Sequence, residues 1–312
     1  MGQAYSYMSN DNYTKTIKKV GITTIAGNVL LSICKVVGGI LASSSSLVSD
    51  GIHSASDVLS TIVVLIGAKI ASKAPDKQHP FGHERFESIA SIILSFILCM
   101  TALLVGYTGV KSIIEYANGT YVAPPVNGLT YLALAFVILS IVVKGLMFVY
   151  TIHAAKQIRS SLLKADAYHH LSDSLSSFGS LLGIIGIMIG GMWSILDPIA
   201  AIIIAIFIFK VGVDISISAI NQVVDRAAPE EFEKEITEIV TNFNGVLRMN
   251  SLKSRMFGNV YYVEIEIAVD DALTIKEAHE IAKELHDKIE LEHNDIKHCM
   301  IHVDPASADP EK

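Results

Sequence analysis

Six stretches of the chain, at 20–42, 47–71, 87–114, 128–152, 160–188 and 191–213, are largely apolar and bounded by polar or turn-rich sequence. A bilayer core takes about 20 apolar residues per helix, and lipid offers no partner to an open backbone, so segments of this length cross as helices. The expected fold is an α-helical membrane protein with six transmembrane helices. The linkers at 42–46, 115–130 and 190–194 hold no Lys or Arg, whereas Lys15, Lys18, Lys19, Lys73, Lys77, Arg85, Lys156, Arg159 and Lys164 cluster on the alternate side. By the positive-inside rule both termini are cytoplasmic in a multi-pass cell-membrane protein. The polar first 18 residues lack an apolar run, so no cleaved leader is expected.

After Asp225 the composition turns charged and amphipathic, which divides the chain into a membrane domain at 1–215 and a cytoplasmic domain at 226–306. The second part reads as helix Glu230–Phe243, strand Met249–Met256, strand Val260–Val269, helix Ile275–Leu291 and strand Lys297–Asp304. An αββαβ order makes a small open sandwich with one uncovered sheet face, so a homodimer is expected. The net charge of −7 gives no footprint for nucleic acid. Cys34, Cys99 and Cys299 are too few and too scattered for a disulfide framework or a Cys-x-x-Cys clip.

Within the second and fifth apolar stretches the pattern Asp-x-x-His-x-x-x-Asp occurs twice, as Asp50, His53, Asp57 and as Asp166, His169, Asp173. Polar groups cost most in lipid, so a repeated set at matched depth implies a shared task. On a helix, residues four apart share a face, and two such faces offer His53, Asp57, His169 and Asp173 as four ligands. Two imidazoles and two carboxylates suit tetrahedral Zn2+ at ~2.0–2.2 Å. Asp50 and Asp166, one turn before each histidine, are candidate outer partners for the imidazole N–H, with an N-cap as the alternative for Asp50. His170 points about 100° away from His169 on the helix and is left out. The mid-span Lys35 and Lys144 either snorkel to the interface or meet an internal carboxylate.

HSASD at 53–57 and HHLSD at 169–173, together with HPFGHERFES at 79–88, LDP at 196–198 and IHVDP at 301–305, resemble the cation diffusion facilitator family over nearly the whole chain. The resemblance implies a proton-coupled divalent-metal exporter with a cytoplasmic ferredoxin-like domain for metal sensing and dimerisation. It implies that His53, Asp57, His169 and Asp173 form the transport site, in a set similar to that of zinc-carrying members. Manganese, iron or cadmium export within the family is the alternative.

In the loop after the second span, Asp76, His79 and His83 lie on one face if the third helix starts early; otherwise they are a solvated interfacial trio. The resemblance carries them over as a loop metal site. On the last strand His302 and Asp304 share a face and can bind a metal with His279, or else they are plain surface residues. Where family members place histidines on the first two strands this chain has Asn250 and Glu266, which argues against a full binuclear centre. Arg85 and Asp225 resemble the family's charge interlock.

Histidine must be neutral to ligate, so metal and protons exchange, and metal/proton antiport is the expected mechanism. No enzymatic activity is expected: an intramembrane zinc hydrolase would need a His-Glu-x-x-His helix and an open coordination position. A passive cation channel is the other rival.

Overall fold

A computed structural model describes the backbone of residues 2–41, 45–120, 128–189, 193, 195–258, 260–293 and 295–308. Side chains at 2–11, 38–53, 56, 129, 133, 180, 183, 187, 196 and 197 lie outside the described residues. The elements are α1 (Gly2–Leu41), α2 (Ser45–Ala71), α3 (Arg85–Ala117), α4 (Gly128–Gln157), α5 (Ser161–Ile189), α6 (Leu196–Val223), α7 (Glu230–Thr241), β1 (Arg248–Phe257), β2 (Val260–Val269), α8 (Ile275–Glu292) and β3 (Ile296–Pro305). They fall into two compact units, Tyr13–Ile220 and Met1–Asn12 with Asn221–Lys312.

In the first unit, Asn12–Val37, Arg85–Ala117, Thr130–Gln157 and Pro198–Val223 are long and apolar enough to cross a bilayer. Helices α2 and α5, 27 and 29 residues long, carry the His and Asp motifs and complete the six. Large apolar side chains such as Leu59, Phe96, Leu146 and Ile206 face outward. Thr24, Asn28, Ser88, Ser95, Ser140 and Lys144 are buried within. This inverted distribution fits a bundle whose solvent is lipid.

Hydropathy places several helix ends imperfectly, because it marks the lipid-embedded part rather than the hydrogen-bonded length. Helix α1 starts at Gly2 instead of 20, there being no Pro or Gly between Gly2 and Gly21 to stop it. Helix α6 begins at Leu196, with Pro198 in the first turn where its missing N–H is harmless, and runs on to Val223 rather than 213.

Small residues set the close contacts. A Cβ added at Gly67 of α2 would stand 2.6 Å from the Ala90 Cβ of α3, so these two backbones approach as near as glycine permits. The helices are also joined by hydroxyl pairs, Ser91 with Ser161 at 3.1 Å and Ser95 with Ser216 at 2.7 Å. Ser160 caps α5, its Oγ accepting from the Leu163 N–H at 3.1 Å.

Glu87, fully buried on α3, is a hub that the sequence reading missed. Its carboxylate accepts from the Tyr13 hydroxyl at 2.7 Å, the Ser160 hydroxyl at 2.7 Å and the Leu162 N–H at 3.4 Å. One side chain thereby ties α1 and α3 to the start of α5.

In the second unit the sheet order is β1-β2-β3, with β1 antiparallel and β3 parallel to β2. Val263, Ile265 and Ile267 of β2 point toward α7 and α8, where they pack on Ile236, Val240, Leu285 and Ile289. The alternation read from the sequence thus faces the helices with its apolar half. A capping box fixes the start of α8: Thr274 accepts from the Glu277 N–H, and the Glu277 carboxylate accepts from the Thr274 N–H at 2.8 Å.

Replacing Glu87 by Ala strands two buried hydroxyls, a loss of about 1–3 kcal/mol per unsatisfied group. The expected outcome is a lower unfolding temperature in detergent, with Tyr13→Phe causing a smaller drop in the same direction. Unchanged melting of Glu87→Ala would remove the hub from the fold.

Candidate metal centre

Helices α2, α4 and α5 meet around two carboxylates. Asp57 on α2 and Asp173 on α5 are both held by the ammonium of Lys144 on α4, at 2.6 Å and 2.8 Å. The sequence left Lys144 open between the interface and an internal partner; it takes the internal one. Lys35 is likewise buried and donates to the Ser54 hydroxyl at 3.1 Å. Neither ammonium needs to snorkel, because each lies among acceptors on neighbouring helices.

His169 completes the cluster. Its Nε2 stands 3.7 Å from Asp57 Oδ1 and 4.0 Å from Asp173 Oδ2, and among the described residues it makes no hydrogen bond. A buried nitrogen without a partner, aimed at two carboxylates, is a position that an ion would satisfy. Donor atoms of Asp57, His169 and Asp173 all lie within 4.8 Å of one another. Tetrahedral Zn2+ at ~2.1 Å would set ligand atoms about 3.4 Å apart, so closure draws together the 3.7 Å and 4.0 Å separations of His169 by about half an ångström and the widest pair of the set, within 4.8 Å, by up to about 1.4 Å.

His53 lies one helical turn before Asp57 on α2. Its side chain and that of Asp50 lie outside the described residues. An N-cap role for Asp50 is excluded, since α2 begins at Ser45 and Asp50 falls inside the helix.

Asp166 does not back His169. Its carboxylate faces His170 instead, 3.6 Å from that Nε2. On a helix, i and i+4 differ by about 40° in azimuth and i and i+3 by about 60°, so the residue four along is the nearer neighbour. Both side chains are fully buried. The two adjacent histidines of α5 thus use two faces of the helix, His169 toward Asp57 and Asp173 and His170 toward Asp166.

A second cluster occupies the loop between α2 and α3. Helix α3 starts only at Arg85, so Asp76, His79 and His83 do not share a helical face as the sequence reading required. A turn gathers them instead. Asp76 Oδ1 accepts from the backbone N–H of His79 at 2.7 Å and of Gln78 at 2.8 Å. The His79 carbonyl accepts from the N–H of Asp76 and Gly82, and Gly82 takes the positive φ of 101°. The result brings His83 Nε2 to 3.4 Å from Asp76 Oδ2 and sets the His79 and His83 rings 4.4 Å apart, tilted by 45°. The His79 N–H and then the Gln78 N–H hold the Asp76 carboxyl below the usual carboxylate range, which keeps it ionised and ready to ligate.

The third set is not gathered. His302 and Asp304 do adjoin, at 3.1 Å, on the open face of the sheet. His279 belongs to α8, which packs on the opposite face, so the sheet separates it from them. Asp304 is also engaged by the Asn250 amide at 3.0 Å, and Asn250 sits at the irregularity in β1 where the register shifts. Glu266 is paired in register with His302. Burial pushes the Cys299 thiol up to about 12, so it packs as a small apolar residue. Arg85 opens α3 in the first unit, and Asp225 lies in the second, 3.9 Å from Arg255.

Residues 22–223 match the model of the cation efflux transmembrane domain, and residues 228–306 that of the cation efflux protein cytoplasmic domain. The chain is 38% identical over 290 residues to an uncharacterized transporter of Methanocaldococcus jannaschii, covering 93% of this chain and 99% of that protein. It is 30% identical to the manganese efflux system protein MneP of Bacillus subtilis, over 92% of this chain and 96% of that one. Metal tolerance protein C1 of Arabidopsis thaliana is 30% identical over 93% of this chain and 62% of its own length.

Two substitutions separate the clusters. Asp173→Ala is expected to weaken intramembrane metal binding by more than about 100-fold, beyond the 10–100-fold typical of losing an outer partner. Asp76→Ala removes the turn acceptor along with a ligand, so bound metal per chain should fall while intramembrane affinity is retained. Titration calorimetry with metal counting reads both, and equal stoichiometry in Asp76→Ala would show that the loop binds nothing.

Proposed function

We propose, from the premise that this chain belongs to the cation efflux (cation diffusion facilitator) family, that it exports Zn2+ from the cytoplasm in exchange for protons. Divalent-metal efflux across the membrane is what membership supplies; the metal and its counter-ion are the proposal. The observation that carries it is the buried convergence of Asp57, His169 and Asp173, with a histidine nitrogen that makes no hydrogen bond among the described residues. His53 on the same helix as Asp57 is proposed as the fourth ligand.

The donor chemistry couples the two flows. Imidazole binds a proton or a metal but not both, so arriving metal expels protons, and protons entering from the far side release metal. Asp76, His79 and His83 form a loop site at the membrane surface. Residues 1–215 act as the transport domain and residues 226–306 as a cytoplasmic dimerisation domain, with both termini in the cytoplasm of a cell-membrane protein. The match to the family's cytoplasmic domain and a sheet with helices on one face support the homodimer.

Manganese is the second reading. Two carboxylates per site favour a harder ion than thiolate would. The likeness to a protein named for manganese efflux points the same way.

In proteoliposomes an imposed pH gradient should drive Zn2+ uphill, and Asp57→Ala should abolish that flux. Gradient-independent flux would favour a channel. Competition among Zn2+, Mn2+, Fe2+ and Cd2+ assigns the cargo, with manganese uptake unaffected by excess zinc supporting the second reading.

A further inference from the structure

We infer that Lys144 is a tethered rival of the transported ion, occupying the carboxylate pair of the empty site and leaving when metal enters. The inference rests on the intramembrane metal site proposed above and goes on to what sets its affinity.

The geometry sets the two occupants in competition, at the shared Asp173 oxygen and for the charge of the carboxylate pair. Lys144 Nζ holds Oδ2 of Asp57 at 2.6 Å and Oδ2 of Asp173 at 2.8 Å. That Asp173 oxygen is also the one facing His169 Nε2, at 4.0 Å. An ion bonded to both would sit ~2.1 Å from an oxygen that the ammonium already occupies. Two carboxylates balance one divalent ion; with the ammonium also present the buried site would hold uncompensated positive charge. Lys144 arrives from α4, a helix that supplies none of the ligand carboxylates or imidazoles. Its long flexible stem allows withdrawal without moving the ligands, and the exchange needs a change of position only. An empty site filled in this way leaves no bare carboxylate pair in the bilayer, and it keeps metal affinity low enough for release.

The test measures Zn2+ affinity in full-length protein carrying His79→Ala and His83→Ala, so that the loop is silent. Lys144→Gln retains N–H donors toward both carboxylates but removes the charge. It should bind Zn2+ about tenfold tighter or more, as expected when a competing state that holds ~90% of the molecules is removed. In liposomes the same variant should show a lower KM and a lower maximal flux, whereas a purely structural lysine would leave KM unchanged or raise it. Asp173→Ala in parallel distinguishes the two levels. Loss of binding there, with no tightening in Lys144→Gln, overturns the rival and leaves the metal site standing; full binding in Asp173→Ala overturns both. Should Lys144→Gln fail to remain monodisperse, cryo-EM of the unaltered chain with and without Zn2+ decides. Withdrawal of Nζ in the loaded state supports the rival, and Nζ bridging both carboxylates beside bound zinc overturns it.

Discussion

Two carboxylates inside a lipid-embedded bundle cannot remain ionised without a cation, and the first unit is arranged around that requirement. Asp57 and Asp173 come from α2 and α5, and the cation that joins them in the structure is Lys144 of α4. Three helices must therefore pack in one register for any of the charges to be tolerated. His169 contributes the directional element, a nitrogen pointed at both acids. A polar cluster of this kind cannot be replaced piecemeal, since removal of one member leaves the others unsatisfied.

The rest of the bundle accommodates this expensive centre. Apolar side chains are turned outward and hydroxyls inward, and Gly67 lets α2 lie close to α3. Glu87 fastens α1 and α3 to the capped start of α5, the helix that carries His169 and Asp173. The loop cluster is built by a different means, an aspartate-centred turn that places two imidazoles beside a carboxylate outside any helix. The loop cluster and the intramembrane cluster thus rest on independent local structures.

Much of this was legible in the residues. Apolar length gives the helices, the period of two gives β2, and repeated His-x-x-x-Asp points to the helix faces on which Asp57, His169 and Asp173 come together, because each is a local consequence of backbone geometry. What escaped depends on contacts distant in sequence. Nothing in the neighbourhood of Lys144 says that its ammonium meets acids 87 and 29 positions away. Glu87 reads as an ordinary first-turn acid until Tyr13 and Ser160 are seen against it. The partner of Asp166 was misjudged by one residue, which on a helix is enough to exchange His169 for His170. His279 lies on the helix that precedes the strand of His302 and Asp304, and the sheet that separates them is not visible in one dimension. The motif supplies the chemistry, and tertiary packing decides which copies of it converge.

Anomalous scattering at the zinc edge, from crystals of the intact chain grown with Zn2+, bears most directly on the central cluster. A peak bounded by Asp57, His169 and Asp173, separate from any peak at the Asp76 loop, is the result expected. Zinc confined to the loop or the cytoplasmic unit, in protein that still moves zinc across a membrane, would contradict it.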